Sequence, residues 1–231
     1  MEHFHRLRAR INHHLGLAVT LGLVFCLVSL YLFADLAEDV FSNEEIVTID
    51  LLLANELHSR ATPDITSVMK FISLFGSQVV FVFSAVAGIY YAWRRKWLRV
   101  TLWALAVAGG EVLNLLLKSV FNRPRPSFAD PLTIEQYTSF PSGHAMMSFI
   151  AYGLLAYFIC VSIQSQQARI VVVFSAALIV LLIGISRMYL GAHYFSDVVS
   201  GFLVGGVWLA ICITIRQYLR HRTPIETAVA A

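Results

Sequence analysis

His193 and Asp197 stand four positions apart in the segment Ser186 to Asp197 (SRMYLGAHYFSD). On a helix that spacing puts them on one face, where the carboxylate reaches the imidazole. A carboxylate so placed sets the ring tautomer and leaves the other nitrogen as a nucleophile or a base. Taken alone, the pair is equally well explained as a satisfied structural contact. A second histidine, His144, follows Pro141, Ser142 and Gly143. At a helix start, Ser142 caps the free amides and Gly143 admits a close oxygen, which is how phosphate groups are held. Lys118, Arg125 and Arg187 add three cations. Arginine suits bidentate contact with an oxyanion and lysine a point-charge contact. Together these residue types describe the binding of a phosphoryl group beside a histidine able to attack it.

Around this set the supporting residues are less specific. Pro124 and Pro126 flank Arg125, stop a preceding helix and stiffen the turn from which the guanidinium projects. Arg123, next to them, reads as a side chain snorkelling to the interface. Glu111, Asn114 and Lys118 fall at i, i+3 and i+7, and Glu111 reads as a supporting residue paired with Asn114 or with an arginine of the site. No third ligand accompanies His193 and Asp197, and the neighbouring groups are cationic, so no metal site is expected. Cys26, Cys160 and Cys212 lie singly in apolar runs and read as packing residues. The histidines at positions 3, 5, 13, 14, 58 and 221 carry no comparable constellation.

The elements that must bring these residues together are membrane spans. The chain is 58% hydrophobic and only 13% charged, far from the roughly one-quarter charge of soluble domains. An all-α integral membrane protein is expected, a single membrane domain over 1–231 with the polar segments within 118–197. Six stretches reach the length needed to cross the hydrocarbon: Leu15 to Phe33, Val68 to Trp93, Leu98 to Leu117, Ser142 to Ile163, Ile170 to Met188 and Phe195 to Ile215. The first is too long for a secretory signal and is read as an uncleaved span. Basic residues at 6, 8, 10, 94–96, 99, 169, 216, 220 and 222 all fall on one side of six crossings, so the positive-inside rule places both termini in the cytoplasm. The acidic connection after the first span is then outside. Within it Ile46, Ile49, Leu52, Leu53 and Leu57 recur at helical spacing around Asp50, Asn55 and Glu56, as expected of an amphipathic helix on the membrane surface or packed over the bundle. The polar segments all fall at outer span ends. Phe128 to Phe140 lies beside them, with Tyr137 and Phe140 as either interface anchors or lipid-facing filler.

Lys118, six residues, Arg125-Pro126; then Pro141-Ser142-Gly143-His144; then Ser186-Arg187, five residues, His193, three residues, Asp197: this ordered set resembles the three-part signature of the type 2 phosphatidic acid phosphatases, the membrane lipid phosphate phosphatases. The resemblance covers the third to sixth spans directly. It implies that His193 forms a phosphohistidine with Asp197 orienting it, and that His144 protonates the leaving oxygen and then activates water. It implies that Lys118, Arg125, Ser142, Gly143 and Arg187 bind the phosphoryl oxygens, with no metal or other cofactor. Opposite protonation states for the two histidines then predict a bell-shaped pH profile. The implied substrate is a lipid phosphate or diphosphate of the undecaprenyl diphosphate, phosphatidylglycerol phosphate or phosphatidate type. It would be met at the extracytoplasmic face of a cell membrane by an enzyme of bacterial envelope lipid synthesis or carrier recycling.

The expected partners are the lipid substrate and the bilayer, with no nucleic acid and no obligate protein. Two other readings use the same cations: a phosphotransferase passing the group to another lipid, and a binder or transporter that cleaves nothing. The second gives His144, His193 and Asp197 no task.

Overall fold

Apolar runs of this length satisfy their backbone in lipid by coiling into helices. The computed structural model describes the backbone of residues 2–42, 44–135 and 137–229, and the side chains of 20–42, 44–135 and 137–218. The described residues form eight helices and no strand: α1 (Glu2–Phe41), α2 (Glu45–Ser59), α3 (Pro63–Leu74), α4 (Gln78–Trp93), α5 (Trp97–Phe121), α6 (Gly143–Cys160), α7 (Gln166–Tyr189) and α8 (Phe195–Val229). Six segments are long and apolar enough to cross a membrane: Thr20–Phe41, Pro63–Trp93, Trp97–Phe121, Gly143–Cys160, Gln166–Tyr189 and Phe195–Tyr218. The basic side chains at positions 6, 8, 10, 220 and 222 lie outside the described side chains.

Helix α6 is the axis of the bundle, packed by α4, α5, α7 and α8. Its core residues Met146, Ile150 and Leu154 are fully buried and cluster with Leu102, Trp103 and Ala106 of α5 and Val204, Leu209 and Cys212 of α8. Between membrane helices, small residues let backbones approach. A Cβ on Gly201 of α8 would lie 2.6 Å from the carbonyl oxygen of Ser142, and one on Gly205 2.9 Å from that of Met146. These two glycines bring the start of α8, with His193 and Asp197, against the start of α6, with Ser142 and His144.

The second span is not one continuous helix as its apolar pattern implied. It breaks at Phe75–Ser77 into α3 and α4. At the break a Cβ on Gly76 would meet Ile183 at 2.6 Å and the Cβ of His144 at 3.3 Å, so the chain turns where it touches α6 and α7. The freed carbonyl of Phe75 accepts from the Tyr152 hydroxyl at 2.9 Å.

Helix α2 forms where the periodicity predicts it. Ile46, Leu53 and Leu57 of its apolar set are partly buried and Asn55 and Glu56 exposed, but Ile49 and Leu52 face outward while Asp50 is fully buried beside Ala54. The helix packs against α1, α7 and α8. Its inward face combines part of the apolar stripe with the polar partners of Asp50. Phe140 is likewise neither an interface anchor nor lipid-facing filler. It is fully buried, ringed by Phe33, Phe41 and Phe121 at centroid distances of 5.8, 6.1 and 5.1 Å. Tyr137 is exposed.

Candidate active site

Four helix ends and one loop converge on the site. Helix α5 ends at Phe121, where Asn122 takes a left-handed conformation (φ 45°) and donates its N–H to the carbonyl of Lys118. Asparagine tolerates that conformation, and the following prolines keep the chain extended. Lys118, one turn earlier, points its Nζ at the carbonyl of Thr138 at 2.5 Å. The Arg125 guanidinium is held by three carbonyls: Nε donates to Tyr137 at 2.5 Å, Nη1 to Ala192 at 2.5 Å and Nη2 to Thr138 at 3.4 Å. These carbonyls belong to the loop before α6 and the turn before α8, so backbone holds both cations in place.

At the head of α6, the Ser142 hydroxyl accepts from the N–H of Ala145, and the Ser142 N–H donates to the carbonyl of Asp197 at 2.9 Å. Gly143 has a packing reason besides access for an oxygen: a Cβ there would lie 2.8 Å from Asn114 Nδ2. Asn114 is buried against this turn, with Oδ1 unpartnered among the described residues. Glu111, one turn back along α5, is half-buried in a groove with Phe81, Trp103 and Val112, where its carboxylate interacts with Asn114 and with the charge of Lys118.

At the end of α7, Arg187 is buried; Nη1 donates to the Ser73 hydroxyl at 2.7 Å and Nη2 to the Glu135 carboxylate. Its Nε has no partner among the described residues. Arg187 and His144 line a pocket of about 650 Å³ together with Lys70, Ser73 and Glu135, walled on its other sides by Leu74, Ile134 and Leu190. The pocket opens between the α3/α4 break and the 131–135 loop.

His193 is buried behind this pocket. Its Nε2 lies 3.2 Å from Arg125 Nη1. A guanidinium only donates, so Nε2 carries the lone pair and Nδ1 the hydrogen. Burial, then the charges of Arg125, Arg187 and Lys118, hold the imidazole well below its ordinary pKa, in the neutral form. Behind the ring, Asp197 Oδ2 is 3.6 Å from Nδ1, beyond hydrogen-bond length. The Ser139 hydroxyl fills the gap, 3.4 Å from Nδ1 and donating to Asp197 Oδ2 at 2.5 Å. Asp197 Oδ2 also accepts from the N–H of Tyr194 at 2.8 Å, so it caps α8 as well.

Arg123 is not at the interface. It is buried, donating through Nη1 to Asp197 Oδ1 at 2.7 Å and Ser196 at 2.8 Å, and through Nη2 to Asp50 Oδ2 at 2.8 Å. The guanidinium carbon lies 4.4 Å from the centroid of the Tyr194 ring. Asp50 completes the set by accepting from the Ser196 N–H at 2.9 Å. A charge buried away from water demands such partners, which is why the carboxylate of α2 turns inward. Ser139, Ser73, Lys70, Glu135, Arg123 and Asp50 all belong to this site without belonging to its sequence pattern. Asp50 and Arg123 are ionisable residues in an apolar chain, and that was the one signal available for them.

A sequence model of the PAP2 superfamily matches residues 99–221, more than half of the chain. The chain belongs to the PAP2 superfamily. Among PAP2 relatives it is 32% identical over 183 residues to phosphatidylglycerophosphatase B of Bacillus subtilis, covering 77% of this chain and 88% of that one. It is also 28% identical over 124 residues to a lipid A 1-phosphatase of Rhizobium etli, 52% of this chain and 50% of that one. In structure it is similar to the transmembrane PAP2 type phosphatidylglycerolphosphate phosphatase of Bacillus subtilis, with a TM-score of 0.75 and 28% identity over 84% of this chain and 96% of that one. Aquifex aeolicus LpxE follows with a TM-score of 0.57 and 26% identity over 72% and 95%. The PAP2 match contains Lys118, Arg125, Ser142, Gly143, His144, Arg187, His193 and Asp197.

Proposed function

We propose that this PAP2 protein is a membrane lipid phosphatase that hydrolyses a lipid phosphomonoester or diphosphate through a phosphohistidine on His193. The observation that carries the reading is the 3.2 Å contact between His193 Nε2 and Arg125 Nη1. It supports a neutral imidazole whose lone pair faces the cations that would hold a phosphoryl group.

Nε2 attacks phosphorus in line while the bond to the lipid oxygen breaks. His144, in the first turn of α6 and on the pocket wall, gives that oxygen its proton. Water then attacks phosphorus and passes a proton to His144, the N–P bond breaks back to neutral His193, and inorganic phosphate leaves. Lys118, Arg125, Arg187, the Ser142 hydroxyl and the Gly143 amide hold the equatorial oxygens, where charge accumulates. Glu135 gives up its place on Arg187 to the incoming phosphate. A metal ion has no carboxylate or thiolate cluster to bind among the described residues, and the site's own cations repel one. None of these steps calls on a metal.

Location supports a lipid. The pocket lies at the ends of spans and is walled by apolar as well as charged side chains, so a headgroup enters sideways while its tail stays in the bilayer. The basic residues at the opposite ends support a site on the extracytoplasmic face of the cell membrane, with both termini inside. Phosphatidylglycerol phosphate leads the candidates, given the relatives' names, with phosphatidate and undecaprenyl diphosphate beside it. The test is phosphate release by detergent-purified protein with chelator present, over a panel of these lipids, for wild type and His193→Ala. Release abolished in the variant is expected; release that persists in it, or that needs added metal, overturns the reading.

A further inference from the structure

At the end of the bundle opposite the candidate active site, a pocket of about 530 Å³ is lined by Arg95, Lys96, Trp97, Arg99 and Arg216. Arg216 lies 21 residues into α8 from Phe195, about 30 Å along the helix. That distance is the thickness of the hydrocarbon core, so the pocket sits at the other headgroup level.

Basic residues at one end of a bundle need no ligand to orient a protein in a membrane. The construction here goes further. Arg216 is 6% exposed; among the described residues its Nη1 donates only to the Tyr157 hydroxyl and its Nε has no partner. The Arg216 and Arg99 guanidinium carbons lie 5.3 and 5.4 Å from the centroid of the same Phe158 ring. Arg99 also rests on Tyr91 at 5.3 Å, and Arg216 on Tyr157 at 5.1 Å. Aromatic faces thus hold two cations side by side where carboxylates are absent. Of the 14 acidic residues, those from Asp35 to Asp64, with Asp130, Glu135 and Asp197, lie toward the candidate site, and Glu111 lies within α5. Glu2 and Glu226 are outside the described side chains. Among the described residues, none of the four cations lining this pocket has an ion-pair partner. A partly desolvated cluster of like charge calls for an anion from outside the chain.

We infer that this pocket binds the phosphate headgroup of an anionic membrane lipid in the leaflet opposite the candidate active site. Trp97 and Leu98, both exposed at the rim, meet the interface and the lipid's glycerol region. Such a ligand neutralises the cations and ties the α4–α5 turn to α6 and α8.

The test is thermal unfolding of the full chain in mixed micelles containing phosphatidylglycerol or phosphatidylcholine. Phosphatidylglycerol is expected to raise Tm in a saturable way and phosphatidylcholine to leave it unchanged. Arg95→Gln with Lys96→Gln, both on exposed positions, is expected to weaken the effect about five-fold in lipid concentration for each charge removed, while phosphate release in zwitterionic micelles stays at the wild-type level. Arg125→Gln keeps the Tm response, which separates this pocket from the phosphoryl site. Equal responses to the two lipids, or a phosphatidylglycerol response lost in Arg125→Gln and kept in both the double variant and Arg216→Gln, overturns the inference. Glycerol phosphate without acyl chains reproducing the whole response overturns the lipid as its source.

Discussion

Arg123 donates through Nη1 to Oδ1 of Asp197 at 2.7 Å, with both side chains buried, and its other nitrogen holds Asp50 of α2. The carboxylate behind His193 is therefore positioned by a helix that contributes nothing to the pocket. Arg123→Gln leaves two buried carboxylates without their cation, a change that typically costs roughly 3–5 kcal/mol. Because the Arg123 guanidinium is spent on Asp197, Ser196 and Asp50, kcat is expected to fall about 100-fold or more with KM nearly unchanged. Asp50→Asn, which leaves the Arg123–Asp197 pair intact, is expected to do less, and Arg123→Lys to recover part of the loss. Steady-state kinetics alongside thermal unfolding checks this. A rise in KM with kcat intact would place Arg123 in phosphate binding instead.

Ser139 stands where a direct contact between His193 and Asp197 was expected. Its hydroxyl lies 3.4 Å from Nδ1 and donates to Oδ2 at 2.5 Å. Ser139→Ala removes that bridge and leaves Asp197 3.6 Å from the ring. A loss of roughly ten-fold in kcat is expected, the size of one hydrogen bond to a charged group. Ser139→Thr, which keeps the hydroxyl, is the control; equal losses in the two variants would point to packing and not to the hydrogen bond.

The pH dependence follows from the neutral state of His193. Burial and three neighbouring cations depress its pKa, so the base is lost only when pH falls through that lowered value. The acid limb of kcat/KM, after correction for substrate ionisation, is expected well below the usual imidazole value of about 6.5. Stability carries the same sign. Below about pH 6.5 the unfolded chain takes up a proton that the folded site refuses, so folding weakens as pH falls. An enzyme limb at or above 6.5 would contradict both statements.

Gly201 sets the approach of α8 to α6, since a Cβ would come 2.6 Å from the Ser142 carbonyl oxygen and backbone must move to admit it. Gly201→Val is expected to cost roughly 1–3 kcal/mol and to reduce activity beyond the loss of folded protein, because the shift separates His193 from Ser142 and Gly143 at the head of α6. Gly22→Val, where a Cβ meets nothing within 4 Å, is the matching control and should leave activity unchanged.

Hydropathy and the order of charges along the chain were enough to find the spans and to place Lys118, Arg125, Ser142, His144, Arg187, His193 and Asp197 at one set of helix ends. These are one-dimensional quantities: how many apolar residues run together, and which polar ones interrupt them. What a side chain touches depends on how each helix is rotated against its neighbours, and spacing within one element does not carry that. Arg123 thus resembled a snorkelling residue until Asp50 and Asp197 stood on either side of it. The apolar stripe of α2 was a partial guide for a related reason: Ile46, Leu53 and Leu57 turn inward, Ile49 and Leu52 do not. In a bilayer, exposing Ile49 and Leu52 costs little, whereas burying Asp50 without a partner costs a great deal, so the ion pair together with the stripe sets which face turns in. The break at Gly76, the burial of Phe140 and the bridging hydroxyl of Ser139 were settled the same way, by contacts between residues far apart in the chain.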